Sequence, residues 1–123
     1  MMLKVLLVEH RDEVSARLAA GLEAAGFRVE QAKNSAKAVK RYVADPTDLL
    51  IVNADQTADS AWLLAAKVRL THPTARIWAY LRQSSVSDVT AANSLPIEEL
   101  IEYGENLSRL TADILDRLGV CGR

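Results

Sequence analysis

The clearest pattern in the chain is Asp48-Leu49-Leu50-Ile51-Val52-Asn53-Ala54-Asp55, where an unbroken apolar run meets a polar end. A short continuous apolar run closed by turn residues reads as a central strand buried on both faces. Lys4 to Val8 predicts a first buried strand, ending in Glu9-His10-Arg11-Asp12. Asp12 can cap a helix in which Val14, Leu18 and Leu22 recur at helical spacing, with Ala25 behind them and Gly26 as the stop. Phe27 to Ala32 predicts a short, more polar strand at a sheet edge. Asn34 or Ser35 caps a second helix carrying Ala38, Val39, Tyr42 and Val43, which stops near Asp45-Pro46.

Beyond the central run, Asp55 to Ser60 is rich in turn residues. A third helix is expected from about Ser60, with Trp62, Leu63, Ala66, Val68 and Leu70 on its apolar side and Pro73 at its end. Arg76 to Leu81 predicts a fourth strand and Asp88 to Ala92 a weak fifth. From about Pro96 a last helix is expected to run to about Leu118, because Pro at the first turn and Glu98-Glu99 just inside suit an N-terminus; Gly119 stops it. Strands alternating with helices call for a parallel sheet covered on both faces. The interval from Arg82 to Ala92 leaves too little chain for an ordinary helix and strand with their loops. The fourth crossover helix is therefore expected to be short or absent, a loop or single turn around Ser84 to Asp88.

The last helix would span about 23 residues, roughly twice the common length. Leu100, Leu107 and Ile114 form one stripe with Tyr103 and Leu110, while Ile97, Ile101, Leu115 and Leu118 form a second. One stripe can cover the sheet and the other needs a partner, so a homodimer or heteromeric contact is expected through Leu100, Tyr103, Leu107, Leu110 and Ile114. The alternative is a helix that wraps the gap left by the absent crossover.

Composition narrows the function classes. The 123 residues suit a single domain over 1–123. A net charge of -1 gives no electrostatic case for nucleic acid or a membrane surface. The lone Cys121 rules out an internal disulfide and suggests a reducing compartment. Met1 to Val8 is too short to span a membrane and lacks a cleavage pattern, so a soluble, cytoplasmic protein is expected. No nucleophile–base pair, Gly-rich phosphate loop or metal cluster stands out, which argues against an enzyme.

In an open parallel sheet, chemistry sits outside the carboxyl ends of the strands, which directs attention to Asn53 through Asp55. Lys-Val-Leu-Leu-Val-Glu-His at 4–10, Asp48 to Asn53, Thr57, Ala61-Trp62-Leu63-Leu64 and Glu98-Glu99-Leu100 follow one another in an order and spacing that resembles the receiver (CheY-like) domain of two-component response regulators. The likeness covers nearly the whole chain. It implies a flavodoxin-like, three-layer α/β sandwich with a five-stranded parallel sheet in the order 2-1-3-4-5.

The functional residues that the resemblance implies are changed. The phosphoacceptor aspartate matches Asn53, and the metal-binding acidic pair matches Glu9 and His10. The switch Ser or Thr matches Tyr80, or Leu81 one residue on, and the Lys before the last helix matches Asn93. An amide is a very poor nucleophile and cannot form an acyl phosphate. Glu9 beside an imidazole is a poor Mg²⁺ site, so Mg²⁺ binding is expected to be weak or lost and no cofactor is expected. Without metal and Lys, the charge of a transferring phosphoryl group is uncompensated. The chain thus resembles a degenerate receiver, a pseudo-receiver, with Asn53, Asn93 and Glu9 expected to converge in a neutral hydrogen-bonded plug or to have drifted apart. The function expected is phosphorylation-independent signalling through a protein partner in a two-component phosphorelay-type pathway. One alternative is phosphorylation of Asp55 after a shift of register; another is a small molecule held in the crossover gap beside Tyr80 and Trp78. His10 could sense pH or bind a metal, against a plainer role as a hydrogen-bonded strand end.

Overall fold

The computed structural model describes residues 3–55 and 60–120. The turn expected over Gln56 to Asp59, including Thr57, and Cys121 lie outside the described residues. Strands and helices alternate as β1 (Lys4–Val8), α1 (Asp12–Ala24), β2 (Arg28–Ala32), α2 (Ser35–Ala44), β3 (Leu49–Asn53), α3 (Ala61–Thr71), β4 (Ile77–Leu81), α4 (Val86–Ser94), β5 (Glu99–Glu102) and α5 (Leu107–Arg117). The strands form one parallel sheet in the order β2-β1-β3-β4-β5. This is the expected flavodoxin-like topology, and the strand order reverses between β1 and β3.

Alternation along the strands divides the interior in two. Val5 and Leu7, Leu49 and Ile51, and Trp78 and Tyr80 face α1 and α5, joined there by Leu18, Leu22, Leu110 and Ile114. Leu6 and Val8, Leu50 and Val52, and Ile77 and Ala79 face the other way, onto Ala38 and Tyr42 of α2 and Ala61, Leu64, Ala65 and Val68 of α3. Because β3 and β4 are buried along their whole length, they carry no polar alternate face.

The segment after β4 departs from expectation. Asp88 to Ala92 is not a strand: it lies in α4, the shortest helix among the described residues. Ser85 and Asp88 form a capping box, the Ser85 hydroxyl accepting from the Asp88 N–H and the Asp88 carboxylate from the Ser85 N–H, which starts a helix in little chain. The fourth crossover is therefore short but present.

The expected long helix from Pro96 to Leu118 is two elements. Glu99–Glu102 is the edge strand β5, and Tyr103 to Asn106 turns into α5, with Gly104 at φ 64° and Asn106 accepting from the Arg109 N–H. Glu98-Glu99 imitates a helix start, but Gly104 can take the left-handed conformation at which β5 ends and the chain turns. The two stripes of the imagined helix are thus split between a strand and a short helix.

Smaller differences follow from packing. Leu63 and Leu70, expected on the buried side of α3, are 56% and 83% exposed, while Ala61, Leu64, Ala65 and Val68 pack inward. Val43 is also exposed. Asp12 is the first residue of α1 rather than its cap; Arg11 occupies the cap position and makes no capping bond with its side chain.

Helices α1 and α5 meet closely at Gly21, where an added Cβ would lie 2.6 Å from Thr111 Cγ2. Alanine gains about 1 kcal/mol over glycine inside a helix, whereas overpacking costs about 1–3 kcal/mol. Gly21→Ala is expected to lower stability by about 1 kcal/mol in urea unfolding, and to raise it by a similar amount once Thr111→Ser has removed the methyl. The same sign in both backgrounds would contradict this packing.

Candidate functional site

Strand periodicity assembles the site. Continuing Val5 and Leu7 by two residues reaches Glu9; continuing Leu49 and Ile51 reaches Asn53; Trp78 leads to Tyr80 and Ile101 to Tyr103. All four are at the carboxyl end of the sheet and on the face toward α1 and α5. Asn53 and Tyr80 are direct partners across β3 and β4.

Glu9 is the centre. Its residue is 1% exposed, yet its carboxylate is ringed by donors. Oε1 accepts from Asn53 Nδ2 at 3.0 Å, from the Tyr80 hydroxyl at 2.7 Å and from Arg11 Nη2 at 2.9 Å. Oε2 accepts from the Arg11 backbone N–H at 2.9 Å and from Arg11 Nε at 3.0 Å, with His10 Nδ1 at 3.3 Å. Arg11 thus makes a two-pronged guanidinium–carboxylate pair while its own N–H adds a third bond. The same Nη2 donates to the Tyr103 hydroxyl at 3.2 Å. The Tyr80 and Tyr103 rings meet edge to face, with centroids 5.9 Å apart.

The Asn53 carboxamide fits this place because it has both a donor and an acceptor. Nδ2 serves Glu9, and Oδ1 accepts the Asp55 N–H at 2.7 Å. The reverse orientation would set its oxygen against the carboxylate and its NH₂ against an N–H. An aspartate here would set two carboxylates within hydrogen-bond distance.

Burial pushes the Glu9 carboxyl up, but hydrogen bonds from the Arg11 side chain, from Tyr80 and from the Arg11 N–H, with the Arg11 charge, outweigh it and hold Glu9 below its ordinary value. Burial raises Tyr80 well above a free phenol, reinforced by the charge of Glu9 and the hydrogen bond to it. Arg11 is raised chiefly by its bonds to Glu9, against a smaller opposing effect of burial.

The structure joins Asn53, Glu9 and Tyr80 and leaves other candidates outside. Asn93 is exposed on α4 and takes no part; Tyr103 stands at the end of β5, before the last helix. Leu81 is buried. His10 is half exposed at the rim. Asp55 is beyond the strand end, where Oδ2 accepts the Arg82 N–H at 2.9 Å. The plug, expected to be neutral, is instead built on an ion pair between Glu9 and Arg11. The gap expected beside Tyr80 and Trp78 does not exist: both are buried, and Trp78 Nε1 donates to Glu98 at 2.8 Å. Of the residues expected at an interface, Leu100 lies in β5 and packs on the interior. Leu107 is partly buried, Tyr103 is buried, and Leu110 and Ile114 are 0% exposed.

Arg11 was missed by sequence reasoning, as was Tyr103 as a site residue. The signal was available for one of them. A glutamate that strand period turns inward needs a cation, and Arg11 is two residues away. Tyr103 required the correct boundary of β5.

No protein-family model and no curated protein sequence matches the chain. Solved structures share its fold at low identity. Chemotaxis protein CheY4 of Vibrio cholerae is 18% identical, with a TM-score of 0.84 over 95% of this chain and 98% of that one. A CheY-like response regulator receiver domain protein from Methanospirillum hungatei is 15% identical, with a TM-score of 0.83 over 97% and 95%. A two-component response regulator from Clostridium difficile is 19% identical, with a TM-score of 0.81 over 96% and 97%. The fold is therefore that of CheY-like receiver domains.

The lowered Glu9 predicts an acid limb of stability. Its contribution is fully present above the ordinary value of 4.5 and is lost as pH falls through the lower folded-state value. Urea midpoints measured from pH 6 down to pH 3 should fall less steeply for Glu9→Gln than for the natural chain. That variant should also lose about 3 kcal/mol at neutral pH, because Arg11 keeps its charge without a partner. Parallel pH profiles would refute the assignment.

Proposed function

We propose that the chain is a receiver-fold signalling module that works without accepting phosphate. It acts in the cytoplasm by binding a protein of a two-component-type pathway and is not an enzyme. The observation that carries this reading is the Asn53 carboxamide at the carboxyl end of β3, fixed to the buried Glu9 carboxylate at 3.0 Å. A neutral amide cannot attack phosphorus to form an acyl phosphate.

The pocket around Glu9 does not fit Mg²⁺ either. Mg²⁺ requires near-octahedral oxygen ligands, usually with one or two carboxylates. Here the single inward carboxylate among the described residues has both oxygens engaged by Arg11, Asn53 and Tyr80, and a guanidinium already supplies the positive charge. A metal ion would have to displace Arg11. The arrangement supports one fixed conformation at the end of the sheet rather than a site that is charged and discharged.

Partner binding remains part of the proposal, but the route through the last helix does not, because Leu110 and Ile114 are spent on the chain's own sheet. Among the described residues, no helix is long and apolar enough to cross a membrane. Asp55 supplies the second reading, since it is a carboxylate at the same end of the sheet beside Arg82. The small-molecule reading loses its premise with the gap.

Incubation of the natural chain and Asn53→Asp with a small acyl phosphate and Mg²⁺, followed by intact-mass measurement and peptide mapping, tests the proposal. No phosphoryl adduct is expected on either protein. Label on Asp55 would establish the second reading. Label on the substituted residue 53 would show that Arg11 does not exclude the metal-assisted chemistry.

A further inference from the structure

Outside the Glu9 plug, the carboxyl end of the sheet holds a cleft of about 170 Å³ lined by Arg11, Arg82, Tyr103, Glu105 and Leu107. Two donors there are unused and a third group is only loosely paired. The Tyr103 residue is 2% exposed, and its hydroxyl accepts from Arg11 Nη2, but no described residue accepts the phenol's own proton. Arg11 commits Nε and Nη2 to Glu9 and Tyr103 and leaves Nη1 without a hydrogen-bond partner among the described residues. The Arg82 guanidinium has Asp55 at 3.6 Å and Glu105 at 3.8 Å, both beyond hydrogen-bond distance.

A buried phenol proton without an acceptor and two guanidinium groups with spare N–H bonds share one chemical complement, an oxyanion. The rim carboxylates oppose it unequally. Glu105 is 86% exposed and free to swing outward, and Asp55 is also held by the Arg82 N–H. Size favours a class: the volume is well under the roughly 300 Å³ at which pockets for drug-sized ligands begin and suits a phosphate- or carboxylate-sized group.

We propose that this cleft reversibly binds a small oxyanion through Arg82, the outward edge of Arg11 and the Tyr103 hydroxyl. The inference is independent of whether Asn53 can be phosphorylated, because the anion is held by hydrogen bonds and leaves on dialysis. It gives the module a chemical input that needs no covalent step.

The test is a ¹H–¹⁵N titration of the full chain with sodium phosphate, and separately with sodium acetate, at constant ionic strength against chloride. Saturable shifts are expected at the amides of Arg82, Tyr103 and Glu105. The anion that saturates at the lower concentration identifies the group recognised, phosphoryl or carboxylate. Arg82→Ser leaves the Glu9 plug untouched and should weaken binding about tenfold or more, since it removes charge-assisted bonds. Tyr103→Phe keeps the ring and should weaken it several-fold. Shifts that stay linear with both anions, that chloride reproduces, or that Arg82→Ser leaves unchanged would overturn the proposal.

Discussion

A carboxylate taken out of water must be given a counter-charge and hydrogen bonds, or it must take up a proton. Glu9 meets this constraint through Arg11, and the carboxyl end of the sheet is arranged around that pair. Arg11 is at the cap position of α1, yet its side chain folds back to the end of β1 instead of capping the helix. Tyr80 from β4 and Asn53 from β3 fill the remaining acceptor positions, and Tyr103, just after β5, touches the far side of the guanidinium. One buried charge therefore ties together the ends of four strands that are distant in sequence. Replacing Asn53 by an acid would set a second negative charge against the first, so the carboxamide answers to its neighbour.

The sheet was legible because its central strands carry long apolar runs. Leu49 to Val52 is buried on both faces, and such a run has few other uses in a chain of this size. Asn34 and Gly26 mark helix ends by local chemistry, and they do so here. The region after β4 was not legible for an equally physical reason. Glu99–Glu102 is an edge strand with charge at both ends, which carries the same pattern as a helix's first turn. The heptad spacing of Leu100, Leu107 and Ile114 crosses a strand, a turn and a helix, and is a coincidence of packing rather than a helical face. The capping box at Ser85 was present in the sequence and outweighed by a count of residues that assumed an ordinary helix length.

The site was half legible. The inward direction of Glu9 and Asn53 follows from strand period, so their meeting could be expected from the fold. The nature of the plug could not, because Arg11 reaches Glu9 only through the turn into α1. What distinguishes this end of the sheet is a permanent internal cation. A metal ion binds and leaves with conditions; a guanidinium tethered two residues from its carboxylate does not. The conformation of this end of the sheet is thus set by folding itself.

The ionisation of Glu9 can be observed directly. With the glutamate side chains labelled with ¹³C, the Glu9 carboxyl resonance followed against pH, with and without Mg²⁺, reports both its charge and its accessibility to metal. The buried ion pair predicts a midpoint below the ordinary 4.5 and a resonance that Mg²⁺ leaves in place. A midpoint at or above that value, or a signal that moves saturably with Mg²⁺, would contradict it.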